Sequence, residues 1–151
     1  MSQKTSSLSE LVNVLDDGIA FYDEALRRIT NPVYTDVFER MLDLKTSIAA
    51  DINKEIILDP EPPLASGTLM GTIRLNYADA VANFADHPRH SFVEQLLAQE
   101  ERVLQTFSNA SSSDPSDRAR ELAGLYLPKV QNMYNEISKL KEFSALQVNN
   151  L

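Results

Sequence analysis

A glutamate lies in the middle of an apolar helical stripe in this sequence. The segment 91–110 carries apolar residues at helical spacings of three and four, namely Phe92, Val93, Leu96, Leu97, Val103, Leu104 and Phe107. At about 100° per residue, Glu100 falls within roughly 10–20° of the centre of that stripe. A carboxylate on the buried face of a helix costs free energy unless another group compensates its charge. Glu100 is therefore the first candidate for a polar site.

Metal coordination is one interpretation of Glu100, because helical bundles build metal sites from inward-facing carboxylates. Glu55 lies near the apolar face of its predicted helix, and Asp23 flanks the apolar face of the first helix. Together with Glu100 they would form an all-oxygen site, a donor set that suits hard cations such as Mg, Mn or Ca. Iron or manganese is the cofactor that this interpretation allows. The three residues lie at different depths along their helices, which argues against their convergence.

A structural role is the other interpretation of Glu100. Its carboxylate could accept a hydrogen bond from Tyr22 or Tyr126, which face the same predicted core, or pair with Lys45 at the edge of an apolar face. Under this interpretation we expect a Glu100→Leu variant to be as stable as the wild type, or more stable. Both interpretations remain open from the sequence.

The two histidines lie together at a predicted helix start, where His87 and His90 flank Pro88 and Arg89. This spacing could hold a surface metal ion or an anion at the helix N-terminus. The alternative is a pair of exposed residues at a helix end. No Glu-x-x-His motif is present, and neither histidine belongs to a recognisable nucleophile motif.

Long helices must position these residues. Apolar periodicity together with Pro, Asn and Ser signals predicts helices over about 8–29, 32–57, 68–84 and 91–110, and a last helix that opens at Asp114-Pro115. Asn31 is expected to cap the second helix. Residues 111–113 are predicted to form a flexible loop, and Pro128 to kink the last helix or split it in two. We expect one domain over 1–151, a crossover over 58–89, and frayed tails over 1–7 and 144–151.

Composition and charge exclude several classes of protein. The net charge is −8 and the basic residues form no cluster, so nucleic-acid binding is not expected. The chain has no cysteine, which excludes disulfides, thiolate metal sites and cysteine nucleophiles. No apolar run approaches the roughly 18 residues that a membrane span requires, and the N-terminus lacks the apolar core of a signal peptide. A cytoplasmic protein without a membrane partner is therefore expected.

Three short elements carry a resemblance to a known family: Asp17-Gly18-Ile19 with Tyr22, Ser66-Gly67-Thr68-Leu69-Met70-Gly71, and Glu100 with Phe107. Together they resemble a bacterial ferritin-like family of unknown function. The resemblance implies an all-α, antiparallel four-helix bundle with a long crossover that carries an additional helix. The wider superfamily often binds two irons through Glu and Glu-x-x-His ligands, and the absence of that motif separates this chain from the pattern.

The expected function is that of a non-enzymatic bundle that acts through protein–protein contact or self-association. The predicted crossover helix presents an apolar strip of Ile73, Tyr77 and Phe84, and burial of that strip against a second copy would form a homodimer. The alternative is a carboxylate-rich protein that binds iron or manganese, with Glu100 as the central ligand.

Overall fold

The computed structural model describes residues 7–58 and 87–149, and every regular element in those ranges is a helix. The elements are α1 (Ser7–Arg28), α2 (Pro32–Leu58), α3 (Pro88–Ser113) and α4 (Asp117–Asn149). The prediction of an all-α protein is confirmed over the described ranges. The predicted crossover helix at 68–84, including Ile73, Tyr77 and Phe84, lies outside them.

The turn between α1 and α2 forms as the sequence predicts. Asn31 caps α2, because its Oδ1 accepts the backbone N–H of Val33 at 2.9 Å and its carbonyl accepts the N–H of Tyr34 at 3.0 Å. Pro32 occupies the first helical position, where its missing N–H removes no helical hydrogen bond. The connection is short, so α1 and α2 are antiparallel neighbours.

The predicted serine loop before the last helix is wrong. Residues 111–113 continue α3, and their hydroxyls donate to backbone carbonyls of the preceding turn, as Ser113 does to Asn109 at 2.9 Å. Asp114 accepts the N–H of Ser116 at 2.8 Å, and Ser116 accepts the N–H of Ala119 at 3.2 Å. The last helix therefore begins at Asp117 rather than at Asp114, with the Ser116 hydroxyl as its cap.

α4 continues through Pro128 as one helix, so the alternative of two helices divided at this proline is wrong. Pro128 cannot donate to the carbonyl of Gly124, but both residues are exposed and water can bond that carbonyl. The helix also includes residues 144–149, which were expected to belong to a frayed tail. Ser144 is buried, whereas Leu146 two residues later is 59 % exposed.

Contacts at the two ends of the bundle establish the helix directions. Arg118 at the start of α4 meets Glu55 at the end of α2, and Phe143 near the end of α4 meets Tyr34 at the start of α2. The end of α1 and the start of α3 line one groove, together with the start of α2. Hence α1 and α4 run toward the end of the bundle at which α2 begins, whereas α2 and α3 run away from that end. The end of α2 and the start of α3 consequently lie at opposite ends.

One apolar core is shared by all four helices. Its largest wholly buried side chains are Tyr22, Tyr34, Phe38, Phe92, Phe107, Leu11, Leu15, Met41, Ile48, Ile52 and Leu96. α1 packs against α2 and α3, and α4 packs closely against α3 and more sparsely against α2. The pairs α2–α3 and α1–α4 therefore lie on the diagonals of the bundle. The middle of this core contains the polar site.

Candidate functional site

Three polar side chains from three helices meet at the centre of the core. Glu100 of α3 accepts a hydrogen bond from the Tyr22 hydroxyl of α1 at its Oε2. Its Oε1 lies 2.8 Å from the Nζ of Lys45 on α2. All three side chains have 0 % solvent exposure. We call these residues, Tyr22, Lys45 and Glu100, the central triad.

The ion pair in the central triad spans a diagonal of the bundle. α2 and α3 are not among the helix pairs that pack closely, yet Lys45 and Glu100 bridge them through the core. The Lys45 Nζ also lies 6.0 Å from the centroid of the Tyr22 ring, within range of a cation–π attraction. The triad thus connects the α1–α2 hairpin to the α3–α4 hairpin.

Burial and the neighbouring carboxylate keep the Tyr22 hydroxyl protonated. Burial raises the pKa of Tyr22 well above its usual value, and the charge of Glu100 and their hydrogen bond raise it further. Tyr22 therefore stays a neutral donor. The lysine ammonium compensates the charge of Glu100, and each carboxylate oxygen has a partner. The arrangement therefore keeps one positive and one negative side chain paired in a core without solvent exposure.

Gly18 provides the space that the Lys45 side chain occupies. A Cβ at position 18 would lie 3.0 Å from the Cε of Lys45, 3.1 Å from its Cδ and 3.4 Å from its Nζ. These are tight contacts for a side chain held at both ends, by its helix and by Glu100. The glycine in the middle of α1 is therefore explained by the lysine of α2.

Alanine substitutions at two helical glycines should differ in their effect on the free energy of unfolding. At Gly124 a Cβ would meet only Ser111, at 3.9 Å, so the folded structure can accept alanine. Gly124→Ala should therefore raise the free energy of unfolding by about 0.4–1 kcal/mol, because alanine lowers the conformational entropy of the unfolded chain. Gly18→Ala should lose that gain because Lys45 must shift, and should recover it in a Lys45→Ala background. Urea unfolding measures each change. Equal gains at both glycines would contradict this account of Gly18.

The structure does not bring together the residues considered as metal ligands. Asp23 is exposed and pairs with Arg27 at 2.9 Å, whereas Glu55 accepts from Arg118 at 2.8 Å. That hydrogen bond from Arg118 lowers the pKa of Glu55. Within residues 7–58 and 87–149, no three His, Asp or Glu side chains group closely enough to hold a metal ion. The described residues thus do not fit a metal centre built on Glu100, Glu55 and Asp23, because each has a separate cationic partner.

Tyr126, expected beside Glu100, bonds to a different carboxylate. Its hydroxyl donates to the Oδ2 of Asp51 at 2.6 Å, between α4 and α2. Burial, then the hydrogen bond to Asp51 and its charge, raise the pKa of Tyr126 to about 12. Tyr126 therefore lies on the α2–α4 contact, outside the central triad.

The histidines also have separate surroundings. His87 is the N-cap residue of α3 but makes no capping hydrogen bond with its side chain. His90 lies 2.7 Å from the Oγ of Ser144 and 3.5 Å from Glu94, which places serine, histidine and glutamate in a row. Ser144 is 1 % exposed and donates to the carbonyl of Lys141 at 3.0 Å. A hydroxyl so enclosed cannot reach a substrate, so the row connects α3 to α4 and does not form a nucleophile.

Sequence reasoning missed a second buried polar contact beside the triad. Gln99 donates to the backbone carbonyl of Val14 at 3.1 Å, which joins α3 to α1. Gln99 precedes Glu100 and lies about 100° from it on the helix, on the side that faces α1. The sequence did show Gln99 at the border of the apolar stripe of α3. That position indicates a buried amide, but it does not indicate that the acceptor is a backbone carbonyl of α1.

Comparison with known proteins assigns a family to the chain. None of the helices in the described ranges is both long and apolar enough to cross a membrane. Neither the curated proteins nor the solved structures include a match to this sequence. The sequence profile of a family described as Domain of unknown function (DUF2383) matches residues 3–113, from α1 through the end of α3. Because this match covers well over half of its length, the chain belongs to the DUF2383 family.

Proposed function

We propose that this protein is a non-enzymatic, ferritin-like helical bundle that acts through self-association, and that a lysine takes the place of a metal ion at its centre. The observation that carries the proposal is the 2.8 Å contact between Lys45 and Glu100, two side chains without solvent exposure.

The helix directions support a ferritin-like arrangement. In that arrangement two antiparallel hairpins are joined by one long crossover, so that the second and third bundle helices run the same way. α2 and α3 share a direction, and the end of α2 lies at the opposite end of the bundle from the start of α3. The directions of α2 and α3 are those that a ferritin-like topology requires.

The internal cation supports a structural rather than a chemical role for Glu100. A bundle that binds metal ions uses them to balance several inward carboxylates. In this protein the ammonium of Lys45 supplies positive charge to Glu100, and Tyr22 supplies a hydrogen bond. A metal ion would have to displace Lys45 from a site that Gly18 shapes for it. A metal-binding function centred on Glu100 is therefore the less favoured candidate.

Three exposed apolar side chains from α2 and α4 lie at one end of the bundle, and they support self-association. Val33 and Leu146 are 50 % and 59 % exposed, and Phe143 is 39 % exposed. Phe143 contacts the Tyr34 ring at 6.0 Å, which brings the start of α2 beside the end of α4. We call Val33, Phe143 and Leu146 the end cluster. Burial of such a cluster against a second copy would remove apolar area from water.

Light scattering on purified protein tests this function. The wild type should show a mass that rises with concentration toward that of a dimer, and a Val33→Glu/Leu146→Glu variant should remain a monomer. Leu125→Glu is the matched control, because Leu125 is 64 % exposed on α4 but lies far from the end cluster. A monomeric wild type at the highest soluble concentration overturns the proposal, as does a double variant that still dimerises.

A further inference from the structure

The contact between α2 and α4 differs from the other helix contacts of the bundle. α1 packs closely on α2, and α3 packs closely on α4, whereas α2 and α4 are packed sparsely. Three polar side-chain contacts join them: Arg40–Glu136 at 3.0 Å, Tyr126–Asp51 at 2.6 Å, and Arg118–Glu55 at 2.8 Å. We call these three contacts the α2–α4 seam.

The seam is weak in comparison with the opposite side of the bundle. Both of its ion pairs are partly exposed, and exposed ion pairs contribute only about 0–1 kcal/mol each to stability. α2 and α4 also share one aromatic contact, between Tyr34 and Phe143, but Phe143 is 39 % exposed. α1 and α3 are joined by the buried Gln99–Val14 hydrogen bond and by an edge-to-face contact of Phe21 with Phe92, both of which are buried. Buried polar and aromatic contacts of this kind are costly to break. The α1–α3 contact is thus suited to act as a hinge between the two hairpins. The α2–α4 seam is the contact that would separate when the hairpins move apart.

The ion pair of the central triad does not prevent such a motion. Lys45 and Glu100 join the two hairpins across the core. Their attraction in the dry core is largely offset by the hydration that both ions gave up, so an opening that admits water restores that hydration. Separation of the pair into water therefore costs far less than removal of one partner.

We propose that the bundle opens along the α2–α4 seam as two intact hairpins, α1–α2 and α3–α4, and that this opening admits solvent and small solutes to Lys45 and Glu100. The Tyr126–Asp51 hydrogen bond is the middle contact of the seam and acts as its latch. The closed state is the one described above, in which Lys45 has no solvent exposure. The proposal does not depend on self-association.

Chemical modification of Lys45 measures this opening. An amine-acylating reagent reaches a buried lysine only while the protein is open, and mass spectrometry of the digested protein gives the rate at each lysine. Tyr126→Phe removes the latch and should raise the rate at Lys45 about 2- to 10-fold, the effect expected from the loss of one hydrogen bond to a carboxylate that water already solvates in part. The rate at Lys139, which is exposed on α4, should not change.

Two controls separate seam opening from unfolding. Tyr134→Phe makes the same chemical change on the same helix, away from the three seam contacts, and should leave the rate at Lys45 unchanged. The dependence of that rate on low urea concentrations should be much shallower than for global unfolding, because opening exposes less surface. An unchanged rate in Tyr126→Phe, or a urea dependence equal to that of unfolding, overturns the proposal.

Discussion

Replacing Glu100 with leucine is expected to lower the free energy of unfolding by about 3–5 kcal/mol, because the variant leaves Lys45 charged and unpaired in the core. Lys45 has no exposure and its ammonium contacts Glu100 at 2.8 Å, so it has no route to water in the closed bundle. Urea unfolding followed by circular dichroism measures the change. Glu101→Leu is the matched control, since Glu101 is the next residue of α3 and is exposed.

The double variant Lys45→Met/Glu100→Leu should recover this loss. Removing both ions restores an uncharged core, and similar replacements of buried ion pairs are neutral or stabilising by about 1–4 kcal/mol. If Glu100→Leu alone does not fold, the double variant still tests the role of the ion pair, because it should fold. A stable Glu100→Leu protein, or a double variant less stable than either single variant, would show that the pair does not act as a unit.

Replacing Tyr22 with phenylalanine is expected to cost about 1.5–3 kcal/mol, the range for a hydrogen bond to a charged group. The Tyr22 hydroxyl donates to the Oε2 of Glu100, and both residues are fully buried. The variant removes that donor while it keeps the aromatic ring and its contact with Phe38. Thermal and urea unfolding measure the loss.

Coupling to the ion pair distinguishes this role of Tyr22 from simple packing. In the Lys45→Met/Glu100→Leu background the hydroxyl has no carboxylate to bond, so Tyr22→Phe should cost little or should stabilise the protein. Two contacting residues that act together give such non-additive effects. The same cost in both backgrounds would assign the loss to packing of the ring.

The structure reverses one expectation about Glu100. From the sequence, a structural Glu100 predicts that leucine is tolerated or preferred at this position. That expectation holds only where the carboxylate has a neutral partner, or where both members of a pair are removed. Because the partner is the fully buried Lys45, replacement of Glu100 alone creates an unpaired charge. The identity of the partner, rather than burial alone, therefore decides whether Glu100→Leu lowers or raises the free energy of unfolding.

Helix ends show where local signals succeed and where they do not. Asn31 and Pro32 act within the turn that they form, so the start of α2 was predictable. The serines at 111–113 favour a loop by propensity, yet their hydroxyls bond to carbonyls of α3 and the helix continues. The 144–149 segment is likewise helical, and the buried Ser144 with its His90 contact belongs to α3–α4 packing. Propensity is a weak term that such packing outweighs.

The sequence by itself determined the all-α class of the described ranges, the bounds of α1 and α2 to within one residue, and the position of Glu100 on a buried stripe, because these depend on spacing within one helix. Only the tertiary structure decided that Lys45 and Tyr22 meet Glu100, whereas Tyr126 meets Asp51. A partner on another helix depends on the rotation and shift of the two helices. Each residue turns a helix by about 100° and each turn moves it by about 5.4 Å, so spacing within one chain segment does not specify such a contact.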